Sequence, residues 1–171
     1  MTILLLSVGE IEKGILEELK NDLGKVFKRQ VFIGRAMAEP DYAFNKKRNQ
    51  YFSTAILNEI MKQKEYANYE RILGIVDRDL FVPELNFVFG EAGGKVALIS
   101  LTRLRQEFYG LSEGKDLFYR RLLTEAVHEL GHTYGLGHCR NSGCVMFFSN
   151  TILDTDRKGP KFCEKCESKL F

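Results

Sequence analysis

All three histidines of the 171-residue chain fall in one run, His128-Glu129-Leu130-Gly131-His132-Thr133-Tyr134-Gly135-Leu136-Gly137-His138, and all four cysteines follow it, at 139, 144, 163 and 166. No other soft metal-ligand chemistry occurs in the sequence, and zinc is the ion these donors suit. His128 and His132 are four residues apart, so on a helix they share a face with Cβ atoms roughly 5–6 Å apart. Both imidazoles can then reach one zinc at ~2.0–2.1 Å. Glu129 lies off that face, close enough to accept a proton from a metal-activated water without binding the metal itself. Gly135 is placed to end the helix in a left-handed turn, which brings His138 back to the same ion. Three protein nitrogens leave the fourth tetrahedral position open, the mark of a catalytic zinc.

Cys163-Glu164-Lys165-Cys166 is a CxxC knuckle, and Cys139 and Cys144 supply its other half. Four thiolates suit a closed, structural zinc that clamps the C-terminal segment onto the histidine segment and supplies folding energy. Two disulfides or four free thiols remain open as readings of the same residues; disulfides need an oxidising compartment.

The order HExxHxxGxxH followed by Met146 resembles the metzincin zinc peptidases. Cys139 directly after the third histidine, then Cys144, Met146, Cys163 and Cys166 at their spacings, resembles the archaemetzincins within that group. Gln50-Tyr51 and Asn86-Phe87-Val88-Phe89-Gly90 look like this family as well. The resemblance implies a metzincin-like α/β fold with a mixed, mainly parallel sheet above an active-site helix. It also implies an antiparallel edge strand lining the cleft, for which residues 86–91 are the candidate, and an apolar floor of Met146 under the histidines. Several metzincins carry a metal-contacting tyrosine after this methionine, but here no tyrosine occurs after Tyr134. An oxyanion helper besides zinc must then come from elsewhere; Tyr42 and Tyr51 are the candidates, each read first as a packing residue.

The elements that must position these groups are legible as patterns. Residues 2–8 read as a buried strand, 11–23 as an amphipathic helix ending at Gly24, and 31–33 as a strand. Residues 39–50 read as a polar loop whose Lys46-Lys47-Arg48 cluster is solvated. A helix is expected over 51–64 with Ile56, Leu57, Ile60 and Met61 inward, then strands at 71–77 and 95–101. The longest helix is expected over 116–134, and little regular structure after Gly135 except a terminal helix from 164. Strand–helix alternation points to an α/β layer. One domain is expected over 1–171, divided into an upper α/β part, 1–135, and a small zinc-stapled subdomain, 136–171.

A composition of 44% hydrophobic and 28% charged residues is that of a globular protein, not a disordered one. A net charge of +2 argues against nucleic-acid or anionic-membrane partners. The apolar start, Thr2 to Val8, lacks a basic leader and a small-residue cleavage site, so it reads as a strand and not an export signal. A cytoplasmic monomer is expected. The function expected is a zinc metallopeptidase that hydrolyses peptide bonds of a peptide or protein substrate through zinc-activated water, with Glu129 as general base and two Zn²⁺ per chain, one catalytic and one structural. The alternative is a catalytically weak or inactive zinc- and peptide-binding protein on the same scaffold; a hydrolase of non-peptide amides is a third, weaker reading.

Overall fold

A computed structural model describes residues 2–170. Strands β1 (Thr2–Val8), β2 (Gln30–Ile33), β5 (Arg71–Val76), β7 (Gly90–Gly93) and β8 (Val96–Ser100) form one sheet in the order β2-β1-β5-β8-β7. All pairings are parallel except β7 with β8. The mixed sheet with an antiparallel edge strand is therefore as expected. A smaller sheet joins β3 (Phe44–Asn45), β4 (Gln50–Phe52) and β6 (Leu80–Phe81).

The strands at the centre read as unbroken apolar runs because both faces of the sheet are covered. Alternate residues go to opposite cores. Ile3, Leu5, Leu73, Ile75, Ala97 and Ile99 pack with helices α1 (Lys13–Phe27) and α3 (Lys115–Thr133). Leu4, Leu6, Ile72, Val76, Val96 and Leu98 pack with α2 (Ser53–Met61). The first core continues without a break into the C-terminal segment through Leu136, Cys144, Val145, Met146 and Cys166.

Several boundaries differ from the sequence expectation, each for a packing reason. Helix α1 runs past Gly24 to Phe27, because Phe27 is fully buried and stacks on Tyr134 at 5.4 Å between ring centroids. Helix α2 begins two residues late, since Tyr51 and Phe52 pair instead with Leu80 and Phe81. Met61, expected inward, is 44% exposed at the last turn of that helix. The edge strand begins at Gly90, so only the last two residues of the 86–91 candidate belong to it. Residues 86–89 form an irregular wall with bends at Asn86 and Phe89, bridged from Val88 to Leu80 and bonded from Ser100 N–H to the Phe89 carbonyl at 2.8 Å.

Arg48 is no solvated loop residue. It stacks over Phe81 at 4.2 Å and donates to the carbonyls of Leu85 and Asn86 at 2.7 and 3.2 Å. Gln50 donates to the same Asn86 carbonyl at 2.9 Å. The two short upstream matches, around Gln50 and Asn86, are thus two sides of one contact. Helix α4 (Ile152–Lys158) was unexpected, and a one-turn helix α5 (Glu164–Glu167) follows where a terminal helix was expected. Among the described residues, no helix is long and apolar enough to cross a membrane.

Candidate active site

Helix α3 carries His128 and His132 on one face, as their spacing requires, and its preceding turns are buried through Leu122, Ala126 and Val127. Tyr134 caps the helix. Gly135 follows at φ +86°, a left-handed conformation in which a side chain would be strained. The chain turns there and delivers His138 to the other two rings. The side-chain donor atoms of the three histidines lie within 4.8 Å of one another. His128 Nε2 and His132 Nε2 are 3.1 Å apart, close to the ~3.3 Å that two nitrogens at ~2.0–2.1 Å from a tetrahedral ion would show.

The orientation of two rings is fixed from behind. Carbonyls only accept, so His128 Nδ1–H donates to Val145 O at 2.7 Å and His132 Nδ1–H to Leu136 O at 2.8 Å. Each Nε2 then keeps a free lone pair pointing at the shared centre. The ring of His138 packs against Phe148 at 4.9 Å. Met146 is fully buried beneath, and its Sδ would lie 2.5 Å from a Cβ placed on Gly131. Burial lowers all three histidines below their ordinary range. His128 is lowered furthest, first by burial and then by the neighbouring Lys158 ammonium. Neutral imidazoles are the form that binds metal.

Glu129 is only 7% exposed and lines a cavity of about 250 Å³ together with His128, Phe87, Phe89, Gly90 and Phe148. The edge strand comes up against it at Gly90, where a Cβ would fall 2.7 Å from Glu129 Cγ and 2.6 Å from Leu98 O. Burial, and next the Glu125 carboxylate one turn back, raise Glu129 well above the usual carboxylate range; Lys158 pulls it down and Glu91 adds a smaller push upward. A raised carboxylate is a better proton acceptor once ionised.

Behind the histidines lies a group that carried no motif. The Lys158 side chain has no exposed surface; its ammonium donates to Phe147 O at 3.1 Å and forms an ion pair with Glu125 Oε1 at 3.3 Å. It sits 3.2 Å from His128 Nδ1. Thr155 Oγ1 donates to the same Glu125 oxygen at 2.8 Å. Sequence reasoning missed this cluster because it missed α4. The signal was present in Thr151-Ile152-Leu153-Asp154, whose ends form a capping box. Neither Tyr42 nor Tyr51 lines the cavity, and Tyr134 stacks on Phe27.

The four cysteines meet a short distance away, with sulfurs within 4.8 Å of one another and all four thiols free. Cys139 and Cys163 sulfurs are 3.9 Å apart. That is far beyond a disulfide bond of ~2.05 Å and near the ~3.8 Å expected between two thiolates on a tetrahedral zinc. The Cys166 backbone N–H holds the Cys163 thiol down to about 7, while burial pushes Cys144 and Cys166 up. Four thiols bunched this closely lose all their protons to solvent only when a cation takes the protons' place, so the donor set fits zinc.

Comparison with known proteins agrees with this geometry. The profile of peptidase family M54 matches residues 8–171. The chain is 45% identical to an archaemetzincin of Methanocaldococcus jannaschii, over 99% of this chain and 93% of that one. The crystal structure of an archaemetzincin from Methanopyrus kandleri superposes with a TM-score of 0.86 at 36% identity, covering 99% and 93% of the two chains. That of a zinc-dependent peptidase from Methanocorpusculum labreanum gives 0.89 at 32% identity, covering 99% and 100%. The chain therefore belongs to peptidase family M54, the archaemetzincins, and is a zinc metallopeptidase.

Proposed function

We propose that His128, His132 and His138 hold the catalytic zinc, that Glu129 is the general base, and that Cys139, Cys144, Cys163 and Cys166 hold a second, structural zinc. When bound at the histidines, zinc lowers the pKa of a water and polarises the scissile carbonyl. Glu129 does the proton work. Its carboxylate takes the proton of the attacking water and hands it to the nitrogen of the departing amine. The single observation that carries this reading is the shared cavity, in which His128 and the buried Glu129 carboxylate face the same space.

The cysteine site ties the 136–171 subdomain to the histidine segment, because Cys139 is covalently next to His138 and its N–H donates to Met146 O at 2.9 Å. Four free cysteines in ligand geometry support a reducing compartment, the cytoplasm. Both ligand sets come from one chain, which supports a monomer. The near-neutral charge supports peptide or protein substrates without nucleic-acid or membrane partners. The peptide-binding alternative without catalysis is not favoured, since a pure binding site has no use for a raised, buried carboxylate beside a metal.

The test is Glu129→Gln with metal analysis. Peptide hydrolysis should fall by about 10²–10⁴-fold while two zincs per chain remain. Replacing His132 should remove one zinc, and replacing Cys163 the other. Full activity of Glu129→Gln, or a single zinc in the unaltered protein, overturns the assignment.

A further inference from the structure

The cavity beside Glu129 divides by chemistry. Its walls are apolar, with Leu85, Phe87, Phe89 and Phe148. Of its polar side chains, Asn86 and Asn150 are exposed, whereas Glu125 and Ser149 are not and are left with unfilled hydrogen-bonding capacity. Glu125 is 2% exposed, and its Oε1 is taken by Thr155 and Lys158. Among the described residues no hydrogen bond reaches its Oε2. Ser149 Oγ is buried with no partner. Buried polar atoms in folded proteins are nearly always hydrogen-bonded. One spare acceptor and one spare hydroxyl in a cavity with apolar walls describe a ligand with an apolar stem and a tip that both donates and accepts.

We propose that this cavity receives a glutamine side chain of the substrate, its amide NH₂ donating to Glu125 and its amide oxygen accepting from Ser149. The inference rests on the peptidase reading above and names the substrate class for it. Glu129 must deliver a proton to the leaving amine, so the cavity it lines faces the residue that supplies that amine. The glutamine is therefore the residue on the C-terminal side of the cut bond. A cavity of about 250 Å³ has room for this side chain. Lysine is a poorer occupant, because Lys158 already neutralises Glu125 and a second ammonium would face the first. Methionine has the same length but would leave both polar atoms desolvated and unpaired.

Three peptides identical except for Gln, Met or Lys at that residue test the assignment. The Gln peptide should be cleaved at least about tenfold faster, in kcat/KM, than either of the others. Ser149→Ala, at a half-buried loop position, should reduce the Gln-to-Met ratio by about threefold or more, and Glu125→Gln should reduce it further. The second readout is calorimetric binding of the same peptides to the metal-loaded Glu129→Gln protein, where Gln should bind tightest. Equal cleavage and equal binding of the Gln and Met peptides overturn the glutamine assignment and leave the peptidase reading standing. Preferential binding of the Gln peptide with no cleavage by the unaltered enzyme overturns the peptidase reading and leaves the cavity assignment standing.

Discussion

At Gly90 the edge strand leaves room for the Glu129 side chain. A methyl group there would meet Leu98 O at 2.6 Å and Glu129 Cγ at 2.7 Å, and the backbone oxygen cannot yield as a side-chain tip can. Gly90→Ala should cost about 1–3 kcal/mol in urea unfolding, the usual range for overpacking. It should also lower kcat at least about tenfold by displacing Glu129, because small misplacements of a proton-transfer group are expensive. Zinc content should be unchanged, which separates a displaced base from a lost metal. The histidines set a pH dependence at the same scale. Each is lowered by burial, His128 also by Lys158, so the folded site takes up protons less readily than free imidazole at ~6.5 would. Protons compete with the metal for the same lone pairs. Metal retention at the histidines should therefore stay level as pH falls from about 8 to about 6.5, and decline only below that range. A cobalt-loaded protein titrated with acid checks this, since thiolate charge-transfer bands report the cysteine site separately.

Helix α4 reaches the active site from outside the motif. It docks on α3 through a two-pronged Arg121–Asp156 pair, both contacts 2.7 Å, and through the buried Lys158–Glu125 pair. Removing one partner of a buried ion pair strands the other charge. Lys158→Met alone should cost about 3–5 kcal/mol in denaturant unfolding. The double variant Lys158→Met, Glu125→Gln should recover much of that loss, because neither remaining side chain is charged. Recovery of nothing would mean that Lys158 acts through Phe147 O and not through Glu125. This helix also marks where the sequence was harder to read. Helix α3 was legible because its metal ligands and its apolar residues share one period, and the sheet because strands covered on both faces are continuously apolar. Helix α4 is seven residues with one fully buried position besides Lys158, Thr155, so no apolar stripe announced it. The chemistry of His128, Glu129, His132 and His138 followed from spacing. The cavity around them did not, since Glu125, Ser149 and Gly90 come from three separate segments and acquire meaning only when packed together. Arg48 was misread for the same reason, because its partners are carbonyls some 37 residues away.

At the scale of the whole molecule, the C-terminal segment and the first sheet face share one core, and the cysteine site closes that segment onto α3. Cys163→Ser should therefore do more than remove one metal. It should weaken zinc at the histidines by about 10–100-fold, the range seen when groups supporting a metal ligand are lost. Chelator competition on the variant measures it; unchanged affinity would show that the two sites are independent. The carbonyls that aim His128 and His132 belong to Val145 and Leu136, within the segment that this closure holds. Every amino acid carries such a carbonyl. Natural variation at 136 and 145 can therefore exchange one apolar side chain for another without altering how the ligands are aimed, provided the main chain keeps its path. Inheritance of the metal site thus depends less on which residues flank the histidines than on the trace of the backbone behind them, and related chains can diverge there while keeping the same chemistry.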